Sequence, residues 1–146
     1  MSNHFDIPAL CNATKLRRAT RHLTRFYDAC LAGTGLRVTQ YAILGHLKRQ
    51  GPKTMNELAE LMAMDRATIG HNLRPLERDE LVRIQVSETD RRARIVSITE
   101  TGLERFLSGR SGWERAQAEF ESKFGAEHAQ SMRKMMDDVV LVQFDS

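Results

Sequence analysis

Residues 54–98 have the sequence TMNELAELMAMDRATIGHNLRPLERDELVRIQVSETDRRARIVSI, and this stretch decides the fold of the chain. A first helix begins at Thr54, because Thr54 and Glu57 have the spacing of a capping box, in which each side chain accepts a hydrogen bond from the other residue's backbone N–H. A second helix begins at Asp65, a favourable N-cap residue. Only two residues separate the two helices, so they must cross steeply. The pattern predicts a helix-turn-helix.

The second helix of this stretch has two unlike faces. Ile69, Leu73 and Leu76 recur at the spacing of one helical face and are predicted to pack against the core. At 100° per residue, the opposite face carries small and cationic residues that would permit close approach to a duplex and contacts to bases and phosphates. Arg66, in the first turn, can join the helix N-terminus in holding a phosphate. The predicted DNA-contacting residues of this helix are Arg66, Ala67, Thr68, His71, Arg74 and Arg78.

Two β-rich segments follow, residues 81–86 and 95–98, on either side of a polar turn. The pattern predicts a β-hairpin whose tip carries three arginines in four residues, which suits a minor-groove or phosphate contact. Asp90 stands two residues before Arg92 and is predicted to orient its guanidinium through a charge-assisted hydrogen bond. The predicted DNA contacts of the hairpin are Arg91, Arg92 and Arg94.

These residues resemble the MarR family of winged-helix transcription regulators. The family's Asp-x-Arg wing tip corresponds to Asp90-Arg91-Arg92, and its strand leading into a Thr-x-x-Gly helix start corresponds to residues 95–102. Two residues depart from the family pattern. Glu80 stands where a glycine usually joins the recognition helix to the wing, and Pro75 lies inside the recognition helix, where its ring opposes the carbonyl of His71. The alternative interpretation is a small solvated α+β domain with a charged hairpin.

The resemblance implies a mainly α (α+β) fold: a winged helix-turn-helix with a two-stranded wing plus long N- and C-terminal dimerisation helices. It places the winged helix-turn-helix in residues 39–98 of a single domain spanning residues 1–146, and the dimerisation helices in residues 9–32 and 100–146. Residues 1–8 are predicted to be a polar arm. Two glycines disfavour a continuous helix near residues 108–112, so a bend is expected there.

The overall composition excludes several classes of protein. A net charge of +3 does not argue for nucleic acid by itself, but from residue 114 onward there are seven acids against four lysines and arginines, so this end should avoid DNA. No apolar run approaches the ~20 residues of a membrane span, no signal peptide is visible, and two cysteines do not make a disulfide framework. A cytoplasmic location is therefore predicted. No metal, nucleotide or nucleophile motif occurs, which favours a non-enzyme without cofactor.

The first long helix carries five cations and no acid between Lys15 and Arg25. This bias calls for an anionic neighbour, which would be the acidic C-terminal segment, a bound ligand or DNA. Lys15, Arg18 and His22 share one strip with Cys11 at the border of the apolar face. In the MarR family, small anionic aromatic compounds often bind between the dimerisation helices and the winged helix, so the resemblance makes Lys15, Arg18 and His22 candidate effector-binding residues. The alternative is a half-buried histidine among solvated cations.

Three functions are compatible with these patterns. The first is a homodimeric repressor that a small aromatic carboxylate releases from a pseudo-palindromic operator in double-stranded DNA. The second is a redox-sensing regulator of the same fold with Cys11 as the sensor, whose thiol pKa a helix N-terminus and Lys15 would lower. The match to the peroxide sensors of the family is poor. Cys11 lies two residues before the position of their sensing cysteine, and Val38 stands where they have one of their tyrosines. The third is a small-molecule-binding protein that does not bind DNA.

Overall fold

The chain folds into eight helices around a small antiparallel sheet, in a computed structural model that describes residues 7–145. Most of the predicted polar arm lies outside the described residues. The N-terminal part consists of α1 (Ile7–Leu10), α2 (Asn12–Leu31), a short 3-10 turn (Ala32–Thr34) and α3 (Val38–Gln50). The middle part consists of β1 (Lys53–Thr54), α4 (Met55–Leu61), α5 (Arg66–Arg78), β2 (Val82–Val86) and β3 (Arg94–Ile98). The C-terminal part consists of α6 (Glu100–Ser108), α7 (Arg110–Phe124) and α8 (Ala126–Leu141).

The helix-turn-helix predicted from the capping residues is confirmed. The Glu57 backbone N–H donates to Thr54 Oγ1 at 3.0 Å, and the Thr54 N–H donates to Glu57 Oε1 at 3.3 Å, which completes the capping box of α4. Asp65 caps α5 by accepting from the Thr68 N–H at 2.7 Å. Ala63 adopts φ +52° between the two helices, so the turn reverses the chain within a few residues.

The predicted core of the winged helix is also confirmed. Ile69 is 0% exposed, and Leu73 and Leu76 are each 1% exposed, so one whole face of α5 is buried. These side chains join a single cluster with residues from α3, α4 and the sheet. The residues predicted as the packing side of α3 are all buried in this cluster, namely Tyr41, Ile43, Leu44 and Leu47.

The sheet has three strands in the order β1-β3-β2, one more than the two-stranded wing expected from the sequence. β2 and β3 form the predicted hairpin, with register from Val82 opposite Ile98 to Val86 opposite Arg94. The additional strand β1 pairs antiparallel with β3 just before α4. Because β1 contains only two residues, it leaves no alternating pattern by which the sequence would reveal it.

The joint between recognition helix and wing explains the Thr-x-x-Gly motif. Glu80 takes φ +60°, a left-handed conformation that favours glycine. The Thr99 hydroxyl donates to the Glu80 carbonyl oxygen at 2.7 Å, and the Gly102 N–H donates to Thr99 Oγ1 at 2.9 Å. A Cβ on Gly102 would lie 2.0 Å from the Leu81 carbonyl oxygen, so only glycine lets α6 begin this close to the strand.

The N-terminal helices differ from the prediction, whereas the C-terminal helices agree with it. The single helix expected for residues 9–32 is wrong, because Cys11 is extended (φ −74°, ψ 114°) and N-caps α2, with its sulfur accepting from the Thr14 N–H at 3.4 Å. Cysteine is not a usual N-cap residue, so the sequence does not predict this break. The bend expected at residues 108–112 is confirmed at Gly109, which separates α6 from α7.

The helices of one chain leave a large apolar surface uncovered. Val140 is 68% exposed and Leu141 is 72% exposed, and Met135 and Val139 on the same helix are more than half exposed. Such a continuous apolar patch on a soluble helix indicates a contact with another molecule. Among residues 7–145, no helix combines the length and the apolar character needed to cross a membrane.

Candidate nucleic-acid interface

The outer face of α5 is accessible along its whole length. All six residues predicted to contact DNA on this helix are exposed, while the opposite face is buried. Within residues 7–145, the side chains of His71 and Arg74 form no hydrogen bond or ion pair, so both are available to a ligand. Arg66 Nη1 donates to Asn56 Oδ1 at 3.1 Å, and Arg78 Nε lies 3.4 Å from Asp79 Oδ1. The structure therefore brings the predicted residues together on one cationic surface.

The start of α5 is already occupied by a carboxylate. Hydrogen bonds from the Thr68 N–H, and then from its hydroxyl, hold the pKa of the Asp65 carboxyl below its usual value. The first-turn N–H of Thr68 is therefore not free to bind a phosphate. Arg66 remains exposed beside it as the predicted phosphate contact.

Pro75 lies within α5 without ending it. The helix continues to Arg78, and the Asp79 N–H donates to the Pro75 carbonyl oxygen at 3.0 Å. Proline has no N–H, so the His71 carbonyl oxygen lacks its usual helical donor. Because the outer face of α5 is exposed, water can satisfy this oxygen.

The wing tip presents its three arginines to solvent, but Asp90 plays a different part from the one predicted. The Asp90 carboxylate accepts a hydrogen bond from the Arg92 backbone N–H at 3.0 Å, and it forms no ion pair with the guanidinium within the described chain. An Asp side chain bonding the N–H two residues later forms an Asx turn. Asp90 therefore fixes the backbone of the tip, and the Arg92 guanidinium is left free. The prediction that Asp90 orients the guanidinium is wrong.

Of the three candidate effector-binding residues on α2, only His22 lines a groove. A cavity of about 390 Å³ between α2 and α7 is lined by His22, by the ion pair of Lys123 with Glu119, and by an aromatic wall. Phe120 and Phe124 form this wall with their rings stacked at 5.0 Å. Arg18 lies one turn and Lys15 two turns before His22 on α2, and both are exposed and outside this cavity. Sequence reasoning missed Lys123 and the aromatic wall, because α7 meets α2 only through the tertiary fold.

The basic face of α2 has no acidic partner within the described part of one chain. None of its five cations joins the ion pairs formed by residues 7–145. The acidic C-terminal segment, one of the three neighbours considered, therefore does not neutralise this face within a protomer.

The surroundings of Cys11 favour the thiolate form of its side chain. It is partly exposed at the N-terminus of α2, and hydrogen bonds from the Thr14 side chain and then its backbone lower the pKa of the thiol. The expected influence of the helix N-terminus thus acts through Thr14, and Lys15 is not among the causes. In the described chain, no three His, Cys, Asp or Glu side chains converge as metal ligands would.

The recognition helix α5 buries one face and exposes the other, and a hairpin with arginines at its tip follows it. These features define a winged helix-turn-helix. Comparison with known proteins narrows this class. Residues 34–93 match the model of the MarR family. The chain is 29% identical to the M. tuberculosis transcriptional regulator MosR, whose structure was solved in complex with DNA, and superposes on it with a TM-score of 0.81 over 89% of this chain and 93% of that one. The predicted resemblance to the MarR family and the predicted fold class are confirmed.

Two curated relatives match part of the chain. The HTH-type transcriptional repressor NicR of Pseudomonas putida is 33% identical over 87 residues, which are 60% of this chain and 55% of NicR. The organic hydroperoxide resistance transcriptional regulator of Bacillus subtilis is 29% identical over 104 residues, which are 70% of this chain and 71% of that protein. The chain thus spans little more than half of NicR.

Proposed function

We propose that this protein is a cytoplasmic, DNA-binding transcription regulator that acts as a homodimeric repressor. The observation that carries the proposal is the division of α5, whose inner face is fully buried and whose outer face offers Arg74 and His71 unengaged to a ligand. A helix of this kind fits the major groove, where an arginine can donate two hydrogen bonds to guanine. Arg92 at the wing tip would then reach the minor groove or its phosphates.

The relatives support this proposal by what they do. NicR is a transcriptional repressor, and MosR was solved on DNA. MosR combines this fold with binding to DNA, and NicR adds the role of a repressor in a relative by sequence. The third function considered, a binding protein that does not contact DNA, has no observation in its favour beyond the groove on α2.

The uncovered apolar surface of α8 supports assembly into a homodimer. A two-fold dimer would place its two copies of α5 about 34 Å apart, so that they enter successive major grooves of a pseudo-palindromic operator. In this assignment residues 39–98 contact DNA, and residues 9–32 and 100–146 hold the protomers together within one domain. The helices of the second group would then set the distance between the recognition helices.

The groove between α2 and α7 supports control by a small aromatic carboxylate. His22 supplies a hydrogen-bonding group, and Phe120 and Phe124 supply an aromatic wall. A carboxylate would compete with Glu119 for Lys123, since the two side chains pair at 2.8 Å in the same lining. Lys15 and Arg18 would engage the carboxylate if the ligand extends along α2 toward the winged helix. A ligand that favours the spacing unsuited to DNA would release the repressor, with a coupling free energy of about 1–3 kcal/mol.

The experiment is selection of duplexes from a random-sequence pool by the full-length protein, followed by titration of the enriched duplex at several salt concentrations. The proposal predicts an enriched two-fold symmetric sequence and affinity that falls steeply with salt. Arg92→Ala should lower the salt slope by roughly one unit, since it removes one phosphate or groove contact. No enrichment and no salt-dependent binding would favour the binding protein that does not contact DNA.

Redox sensing remains the second candidate function, because Cys11 has a lowered thiol pKa at an accessible helix end. The hydroperoxide regulator of B. subtilis is among the relatives. The test is operator binding before and after treatment with an organic hydroperoxide, for the wild type and for Cys11→Ser. Redox control predicts release of the wild type alone, and equal binding by treated and untreated wild type would exclude it.

A further inference from the structure

A cavity beside the recognition helix is lined by cations that no sequence motif brings together. Its volume is about 420 Å³, and it lies between the C-terminal half of α5, the start of α3 and α6. Its apolar lining comes from Leu36, Pro75, Leu76 and Leu81, and its cationic or titratable lining comes from Arg37, His71, Arg78 and Arg105. Three of these groups are arginines, and they come from three separate segments of the chain.

The cavity holds too few acids to neutralise these groups. Asp79 is the one acidic residue in its lining, and it pairs with Arg78, Nε to Oδ1 at 3.4 Å. Arg105 is half-buried, and its Nη1 donates to the Thr34 carbonyl oxygen at 3.1 Å rather than to a carboxylate. Partly burying a guanidinium without a counter-charge is unfavourable, so an external anion would stabilise this arrangement.

Arg37 is the second cation that lacks an acidic partner within residues 7–145. It is exposed at the N-cap of α3, where its backbone N–H donates to Gln40 Oε1 at 3.0 Å while its side chain caps nothing. The end of α3 is itself satisfied, because Asp28 accepts from the Val38 N–H at 2.7 Å. An anion in the cavity would therefore be bound by the two arginine side chains and not by the helix terminus.

We propose that this cavity is a binding site for a phosphate-type oxyanion, held by Arg37 and Arg105. Both guanidinium groups present several N–H donors in one plane, which matches the oxygens of a phosphate. The site flanks the face of α5 that carries His71 and Arg78, so a phosphate of the duplex backbone would occupy it when α5 lies in the major groove. That source rests on the proposed function, whereas a free phosphate-type anion would use the same donors without DNA.

The first arm of the test uses DNA. Arg37→Gln should weaken binding of the enriched duplex by about tenfold, the effect of losing one charged hydrogen bond, and should lower the salt slope by about one unit. Asp79→Asn should strengthen binding of the duplex, because it removes the carboxylate that competes with the phosphate for the arginines. Arg110→Gln is the matched control, since Arg110 is exposed on α7, pairs with Glu114 and lies outside the cavity.

The second arm uses inorganic phosphate and no DNA. The melting temperature of the free protein is measured in phosphate and in chloride at equal ionic strength, for the wild type, Arg37→Gln and Arg110→Gln. A site for free phosphate predicts stabilisation of the wild type and of Arg110→Gln, and little or none for Arg37→Gln.

The two arms distinguish a phosphate of the duplex from a free phosphate, and they distinguish failure of this site from failure of the proposed function. A change in the DNA arm alone assigns the site to the duplex backbone, and a change in the phosphate arm supports a free anion. If Arg37→Gln behaves as Arg110→Gln in both arms, the proposal is overturned. If the wild type binds no duplex at all, the proposed function fails, and the phosphate arm alone then decides whether the site exists.

Discussion

Gly102 and Leu81 are in direct backbone contact: a Cβ on Gly102 would lie 2.0 Å from the Leu81 carbonyl oxygen and 2.9 Å from the carbonyl carbon. The same carbonyl oxygen accepts the Thr99 N–H at 3.1 Å. The start of α6 is thereby pressed against the junction of recognition helix and wing. Here α6, which leads toward the proposed dimer contact, meets the elements that are proposed to contact DNA.

Substituting Gly102 by alanine should destabilise the protein by about 1–3 kcal/mol or more, because the backbone of Leu81 must move to admit the methyl group. Gly33→Ala is the matched control, since its Cβ would meet no atom within 4 Å. That change should be neutral or stabilising by up to about 1 kcal/mol. Urea denaturation measures both, and equal stabilities of the two variants would contradict the packing described here.

Replacing Glu80 by glycine should leave the protein as stable as the wild type or more stable by up to about 1 kcal/mol. The gain comes from relieving the left-handed strain at φ +60°, and the greater freedom of glycine in the unfolded chain offsets part of it. Glu80→Ala keeps the strain and should stay near the wild type. Denaturation of the three proteins side by side tests this, and an alanine variant more stable than the glycine variant would rule out the strain.

Asp65, which caps the recognition helix, should make the protein less stable as the pH falls into the acid range. The pKa of Asp65 is lowered in the folded protein by hydrogen bonds from Thr68, so its contribution is fully present above the unfolded value of about 3.9 and is lost as pH falls through the lower folded pKa. Wild type and Asp65→Ala should therefore differ most near neutral pH and converge in acid. If the difference in stability between the two proteins grew on acidification, the pKa of Asp65 would be raised in the folded protein and not lowered.

Val140 tests the dimer contact, because it is 68% exposed in one chain. Val140→Asp should leave the protomer folded and weaken self-association, since it places a charge in the apolar surface of α8. Gln130→Asp adds the same charge at an exposed position of the same helix and serves as the control. Light scattering after size-exclusion chromatography measures the mass, and a stable dimer of Val140→Asp would place the interface elsewhere.

The sequence predicted those parts of the fold that depend on local interactions. The capping residues Thr54 and Asp65 and the periodic positions of α5 act within a turn or two of their own helix, so their spacing reveals them. The two-residue strand β1 and the cap at Cys11 were missed because neither has a characteristic pattern. Asp90 was assigned the wrong donor, because its spacing from Arg92 fits both the guanidinium and the backbone N–H.

Parts of the candidate site could not be predicted because they depend on distant segments. Arg37 and Arg105 are 68 residues apart in the chain and meet at one cavity only after α3, α5 and α6 have packed. Lys123 and His22 come to line one cavity in the same way, through the contact of α7 with α2. Periodicity assigns each of these residues to a helix face and says nothing of what that face meets.

The most direct test of the central claim is the specificity of Arg74→Gln, measured by fluorescence anisotropy on the enriched duplex and on a random duplex at one salt concentration. If α5 reads the bases, the variant should lose about 1–3 kcal/mol of preference for the enriched duplex and retain most of its affinity for the random one. Arg110→Gln should keep the wild-type preference. An unchanged preference in Arg74→Gln, or an equal loss of affinity on both duplexes, would contradict the assignment of α5 as the helix that recognises sequence.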